Sequence, residues 1–183
     1  MSDFNKALLY VLQNEVPCDH NGEPIPSRAF ENNPKDPGGM TTWGIIATEY
    51  AAWTRAPATE AVMRTMTVAQ AAAVYRAKYW NLMRCDSITN QGVATAMMDS
   101  AVNPGQGFAT HTVQRIARVA QDGQIGPITI AAINAMDHKA FLVSLNKSCL
   151  SYYYGVVANN HSLDVFEAGW TNRANRLLTL VNA

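Results

Sequence analysis

Side chains that can transfer protons are grouped near the start of the chain. Glu15 follows Phe4 by about three helical turns, so it continues the apolar stripe of a first helix. Asp36 precedes Thr41 and Thr42 in the segment KDPGGMTTWGI. Carboxylates and hydroxyls can exchange protons with a substrate or hold a water molecule. Structural explanations remain open as well: a surface residue at a frayed helix end, a turn former and two strand residues.

Apolar periodicity predicts that helices position these groups. A first helix begins after Ser2 and ends before Pro17, because proline disfavours helical geometry at Val16. Residues 18–44 are rich in proline and glycine, which leaves room only for short strands or a hairpin near Phe30 and residues 40–45. We therefore predict an all-α, mainly helical fold with a small β-hairpin element near residues 30–46.

Further helices are predicted along the rest of the chain. They cover residues 46–53, a segment that begins at the Thr67/Gln70 capping box, the small-residue segment GVATAMMDSA, residues 108–119, 127–135 and 138–157, and the C-terminal segment from Phe166 to Val181. In the helix after Thr67, the predicted buried face consists of Val68, Ala72, Tyr75, Tyr79 and Leu82. In the last helix, Phe166, Trp170, Ala174, Leu177 and Val181 form the predicted apolar stripe.

Composition excludes several classes of partner. Lys and Arg together number 14, as do Asp and Glu, so no general positive field favours nucleic acid. No apolar window approaches the length of a membrane span, so stable membrane insertion is not predicted. Cys18, Cys85 and Cys149 are an odd number without a C-x-x-C motif, which argues against a disulfide framework. Cys18 and His20 lack a second close pair of ligands, so we predict no metal site.

A family resemblance joins these fragments. Glu15 at a helix end, followed by DPGGMTTWGI, resembles the N-acetylmuramidases of glycoside hydrolase family 108, phage-type and secretion-associated lysozymes of the endolysin kind. The segments AVYRAKYW, MMDSAVNPG, DGQIGPIT and FEAGWTNRANRL resemble later parts of that family in the same order. Two departures concern the first helix: Glu15 is followed by Val16 and Pro17 where the family has Gly-Gly, and an insertion covers Cys18–Phe30.

The resemblance implies roles for the first group of residues. Glu15 would be the general acid, since desolvation on an apolar face favours the protonated form of a carboxyl group. Asp36, in a polar glycine-containing loop, would be the ionised second carboxylate. Thr41 or Thr42 would orient a water molecule, although Thr42 stands where the family usually has Asn. The choice between retention and inversion stays open, with a lean towards inversion, and no cofactor is expected.

Substrate-binding residues are predicted beside this chemistry and further along the chain. Trp43 directly follows the two threonines and is a candidate platform for a sugar. Asp99 and Asn103 are four positions apart on a predicted helix, either in a local hydrogen-bond network or in a cleft wall that contacts N-acetyl sugars. We expect Arg173 and Arg176 to pair with nearby acids such as Glu167.

The resemblance also implies an organisation and a partner. Residues 1–92 would be a lysozyme-like catalytic region and residues 93–183 a helical peptidoglycan-binding region packed on it as one compact unit. The partner would be bacterial peptidoglycan, cut between N-acetylmuramic acid and N-acetylglucosamine by a monomer. Because the N-terminal segment lacks a signal-peptide pattern, we expect cytoplasmic synthesis and release through a holin-like or other export pore. A non-catalytic wall-binding protein and a wall amidase or endopeptidase are the alternatives.

Overall fold

The structure, a computed structural model, describes residues 2–32 and 39–182. It is mainly helical with a small three-stranded antiparallel sheet, which confirms the predicted fold class. The chain divides into two compact units, one of residues 8–78 and the other of residues 1–7 together with 79–183.

The first unit begins with most of helix α1, Phe4–Glu15, which ends as predicted before Pro17. The segment after Pro17 then forms a turn, in which the Asp19 carboxylate accepts hydrogen bonds from the backbone N–H groups of Asn21 and Glu23. An isolated bridge joins Cys18 and Pro24. The start of the segment that we predicted to be an insertion thus has its own local hydrogen bonding.

Three short strands follow and confirm the predicted β-element. They are β1, Phe30–Glu31, β2, Thr41–Thr42, and β3, Ile45–Ile46. Both pairings are antiparallel, with Phe30 opposite Thr42 in the first pair and Thr42 opposite Ile45 in the second. The Arg64 guanidinium lies 4.1 Å from the centre of the Phe30 ring, a cation–π contact that covers the β1 side.

Helices α2, Ala47–Thr54, α3, Glu60–Arg64, and α4, Val68–Tyr75, complete this unit. The predicted capping box is present, since Thr67 and Gln70 exchange side-chain and backbone hydrogen bonds. The predicted buried face of α4 is only partly correct: Tyr75 is buried as predicted, but Ala71 and Val74 are buried beside it while Val68 is exposed. Val68 lies in the first turn, and a π-helical turn, Arg76–Trp80, changes the helical phase beyond Tyr75.

The second unit consists mainly of helices. Their bounds are α5, Gln91–Ser100; α6, Gln106–Ile116; α7, Pro127–Asn134; α8, His138–Asn159; α9, Asp164–Arg176. Every residue of α5 from Gly92 to Ser100 is buried, as its small side chains predict. Gly92 lets the C-terminal 3₁₀ segment, Leu177–Asn182, approach closely, because a Cβ there would collide with the Leu180 carbonyl oxygen.

Helix α8 packs against α5, α6 and α9. The apolar stripe predicted for the last helix is only partly correct, because Phe166 is 52% exposed whereas Ala174 and Leu177 are buried. Helix α9 instead buries Arg173, which forms an ion pair with Asp99 of α5. A buried ion pair thus replaces part of the predicted apolar contact.

Among the described residues, no single helix is long and apolar enough to cross a membrane. Only α7 and α8 taken together, across a bend of 114°, reach that length and composition.

Candidate active site

Glu15, the last residue of α1, lies half-buried against the turn between β2 and β3. A Cβ atom added to Gly44 in this turn would lie 2.8 Å from the Cβ and 2.9 Å from Oε2 of Glu15. It would also lie 2.7 Å from the Tyr75 hydroxyl oxygen. These separations are shorter than ordinary van der Waals contact, so a residue without a side chain is required where the hairpin meets the carboxyl group.

The turn itself has an uncommon backbone. Trp43 and Gly44 both have positive φ angles, 55° and 76°, which is the arrangement of a two-residue hairpin loop of type I′. The Trp43 N–H donates to the Ala29 carbonyl at 3.1 Å, and the Tyr75 hydroxyl donates to the Trp43 carbonyl at 2.8 Å. The turn is thereby held from the β1 side and from α4, which fixes the position of Gly44 against Glu15.

The two threonines of β2 point to opposite faces, as alternation along a strand requires. Thr42 is 2% exposed, and its hydroxyl donates to the Met63 carbonyl at 2.9 Å. Thr41 is only partly buried. A buried hydroxyl engaged with a main-chain carbonyl cannot hold a reacting water, so Thr41 remains the candidate for that role.

The structure does not support Trp43 as a sugar platform. Its side chain is 4% exposed, and its indole N–H donates to the Met66 carbonyl at 2.9 Å. The left-handed backbone at Trp43 turns the ring into the interior, where a stacking sugar cannot reach it. Trp43 therefore anchors the hairpin.

Asp36, the predicted second carboxylate, lies outside the described residues, so its role stays a prediction. Gly39, the first described residue after Asp36, has a φ of +70°, and a Cβ added to it would meet nothing within 4 Å. The backbone next to the Asp36 segment therefore enters β2 through a left-handed glycine.

Asp99 and Asn103 belong to the second unit, where both take part in local networks. The Asp99 carboxylate, 2% exposed, accepts hydrogen bonds from Arg173 Nη2 at 2.8 Å and Nε at 3.3 Å. This planar two-point pairing is the strong form of a carboxylate–guanidinium contact. Arg173 therefore pairs with an acid as predicted, but this acid is Asp99 and not Glu167. Burial and the Asp99 charge raise the pKa of the neighbouring Cys149 thiol to about 12, although Arg173 opposes the shift.

Asn103 does not continue α5 as a regular helical residue. Its φ of −150° and ψ of 118° are extended, and its Oδ1 accepts a hydrogen bond from the Tyr153 hydroxyl at 3.1 Å. Burial raises the pKa of Tyr153, which keeps this hydroxyl a donor. For both Asp99 and Asn103 the contacts favour the local network over the cleft wall.

Sequence reasoning missed two residues that shape the Glu15 environment. Gly44 was part of the quoted motif but had no assigned contact, and Tyr75 was interpreted only as a core residue. The Trp-Gly pair between two β-branched pairs is a signal for a tight hairpin that could have identified Gly44. Nothing local in the sequence indicates that the Tyr75 hydroxyl reaches this turn.

The described residues contain no group of three or more His, Cys, Asp or Glu side chains placed to hold a metal ion. Cys18, Cys85 and Cys149 are free thiols. Burial strongly raises the pKa of Cys85 as well, so its sulfur is held as a neutral, apolar group.

Comparison with known proteins gives two adjacent family matches. Residues 28–105 match the model described as glycosyl hydrolase 108, and residues 108–175 match the model described as a predicted peptidoglycan domain. A solved structure of SagA from Brucella abortus is 29% identical, covers 98% of this chain and 96% of its own, and superposes with a TM-score of 0.78. No curated protein matched the chain. The family match begins at Arg28, so Glu15 lies ahead of the matched region.

Proposed function

We propose that this chain, whose residues 28–105 match the glycosyl hydrolase 108 family model, is a muramidase. It would hydrolyse the β-1,4 bond between N-acetylmuramic acid and N-acetylglucosamine in peptidoglycan. The observation that carries the proposal is the contact of the Glu15 carboxyl group with the Gly44 turn, which places an acid beside the hairpin of the matched region. The adjacent match to a peptidoglycan domain supports the wall as substrate.

The proposed reaction begins with proton transfer from the Glu15 carboxyl group to the oxygen of the leaving sugar. Asp36 supplies the ionised carboxylate on the other face of the sugar, and Thr41 orients the attacking water. We propose inversion, which requires the two carboxyl groups to be roughly 6.5 to 9.5 Å apart so that a water molecule fits between them. A covalent glycosyl bond to Asp36 in a trapped complex would contradict inversion.

The remaining sequence predictions complete the proposal. We retain a catalytic region of residues 1–92, a wall-binding region of residues 93–183, and a monomer as the active form. Access to the wall would use a holin-like pore in phage lysis or an export route in secretion-linked remodelling. The alternative, a non-catalytic wall-binding protein, is favoured by one observation only: the Gly-Gly that follows the family's acid is replaced by Val16 and Pro17.

The decisive experiment uses Glu15→Gln, with Glu23→Gln as its control. Glutamine keeps the shape of the side chain but cannot donate an acidic proton, so we expect a loss of at least ~100-fold in the release of reducing ends from purified walls. Glu23 is an exposed residue of the inserted turn, and its substitution should leave the rate unchanged. Thermal unfolding of both variants should match the parent or, for Glu15→Gln, exceed it.

The identity of the new end groups separates the hypotheses. New reducing ends support the muramidase, whereas new free amines in their place would indicate an amidase or endopeptidase. Co-sedimentation with walls without any new ends would indicate the binding protein. A Glu15→Gln variant that cuts walls at the parent rate would remove Glu15 from the mechanism.

A further inference from the structure

A groove lies between α6 and α8 in the second unit, and we call it the α6–α8 groove. Its volume is about 590 Å³, and its lining includes Phe108 and Arg115 from α6 and Lys147, Ser148 and Tyr152 from α8. A volume of this size is in the range of small-ligand sites. No residue of this groove takes part in the proposed hydrolysis.

Helix α8 lines the groove with a different face from the one that it buries inside the unit. Its residues Lys147, Ser148 and Tyr152 recur at helical spacing, so they form one stripe along the helix. The buried residues Leu145 and Cys149 belong to the stripe that packs inside the unit. The stripe that lines the groove is therefore distinct from the buried one, and its contacts inside the unit are with α6, through the Tyr152–Phe108 ring pair and the Ser148–Arg115 hydrogen bond.

The lining is positively charged. Arg115 and Lys147 are both exposed, and none of the described residues that line the groove is acidic. The Ser148 hydroxyl donates to the Ser144 carbonyl at 2.8 Å and accepts from Arg115 Nη2 at 3.1 Å. Ser148 thus orients the guanidinium with one of its five N–H donors, and the planar fork suits a carboxylate.

An aromatic pair forms the other part of the lining. The rings of Phe108 and Tyr152 are 4.8 Å apart at 52°, and Tyr152 is 39% exposed. A ligand with carboxylates at one end and methyl or methylene groups at the other would match both parts of the groove. A short acidic peptide has this combination, whereas a neutral sugar chain offers no partner for the two cations.

We propose that the α6–α8 groove binds the acidic stem peptide of peptidoglycan, with Arg115 and Lys147 pairing with its carboxylates and the Phe108–Tyr152 pair covering its apolar side chains. The inference rests on the proposed function, because the match of residues 108–175 to a peptidoglycan domain supplies the wall as the source of the peptide. Peptide recognition at this groove would retain the protein on walls that carry stem peptides.

The test measures binding of the full chain carrying Glu15→Gln, so that hydrolysis does not consume the ligand. The probes are a disaccharide-tetrapeptide wall fragment and the same fragment with its peptide carboxylates amidated. We expect the double change Arg115→Gln and Lys147→Gln to weaken binding of the acidic fragment about tenfold at low salt, and to remove the preference over the amidated fragment. Arg118→Gln with Lys139→Gln is the matched control, since both residues are exposed and the net charge changes equally.

Several outcomes would overturn the inference. They are the absence of measurable binding of the acidic fragment, equal affinity for both fragments, or equal losses in the groove and control variants. Displacement of the fragment by inorganic phosphate at equimolar concentration would assign the groove to a phosphate polymer instead. The proposed function is tested separately, because a wild-type protein that binds the fragment but releases no reducing ends refutes only the hydrolase.

Discussion

The contact between Gly44 and Glu15 makes Gly44→Ala the most informative substitution in this chain. An alanine Cβ would lie within 3 Å of Glu15 Cβ, Glu15 Oε2 and the Tyr75 hydroxyl, at 2.8, 2.9 and 2.7 Å. It would also occupy a φ of +76°, which L-residues rarely adopt. Because two of the three nearest atoms belong to the proposed acid, we expect the substitution to displace Glu15 without changing its chemistry.

The expected magnitude has two parts. A left-handed backbone at a non-glycine residue costs about 1–2 kcal/mol. Overpacking adds about 1–3 kcal/mol. Gly123 has the same φ of +76°, and its Cβ would meet only the exposed side chain of His111, at 3.3 Å. Gly123→Ala therefore isolates the backbone cost, and for a chain of this size it should lower Tm by about 2–8 °C.

The assay compares both variants for thermal unfolding and for reducing ends released per folded molecule. A shift of about 1 Å in a reacting group can cost about 100-fold in rate, so we expect such a loss in Gly44→Ala and parent activity in Gly123→Ala. Equal specific activity in the two variants would refute either the role of Glu15 or the positioning role of the hairpin.

Two further predictions concern the second unit. Asp99→Asn removes the carboxylate charge from the buried Arg173–Asp99 ion pair and should cost about 3–5 kcal/mol of unfolding free energy, measured by denaturant titration, whereas Glu60→Gln, which breaks an exposed i,i+4 pair, should cost under about 1 kcal/mol. Equal losses would contradict the burial argument. Native protein treated with iodoacetamide at pH 9 should be modified at Cys18 and spared at Cys149, because burial raises the pKa of the Cys149 thiol from 9.0 to about 12. Rapid labelling of Cys149 in the native protein would contradict this. The Cys149 thiol loses its proton near pH 9.0 in the unfolded chain and near pH 12 in the folded one, so its contribution to the unfolding free energy is complete below pH 9.0 and declines as the pH rises to about 12.

Local signals in the sequence predicted the elements that carry the site. Pro17 marks the end of α1, and the Thr67/Gln70 box marks the start of α4, because capping and proline geometry act over a few residues. The position of Glu15 at a helix end and of the threonines on a strand follows from these signals. The fold class could therefore be predicted from apolar periodicity and from the proline and capping residues that bound the helices.

The contacts of individual side chains were harder to predict from the sequence. Asp99 and Arg173 are 74 positions apart, so no local pattern indicates their pairing. Trp43 was a candidate sugar platform because it follows the two threonines, but the positive φ of a tight turn decides where its ring points. Sequence spacing gives the face of a regular element, and it does not give the direction of a side chain at a turn.

The hydrogen bonds that anchor the hairpin indicate which positions around it tolerate substitution. Thr42 and Trp43 donate to the main-chain carbonyls of Met63 and Met66, and every residue type supplies such a carbonyl. The two methionines, 0% and 6% exposed, are thus limited by volume and apolarity and not by any chemical group of their own. Leucine or isoleucine could replace either one without loss of an anchor, whereas the donors Thr42 and Trp43 have few neutral replacements. Apolar substitutions should therefore be tolerated at Met63 and Met66, which accept the hydrogen bonds through their backbone carbonyls. Substitutions of Thr42 and Trp43, which donate them through their side chains, should be tolerated poorly.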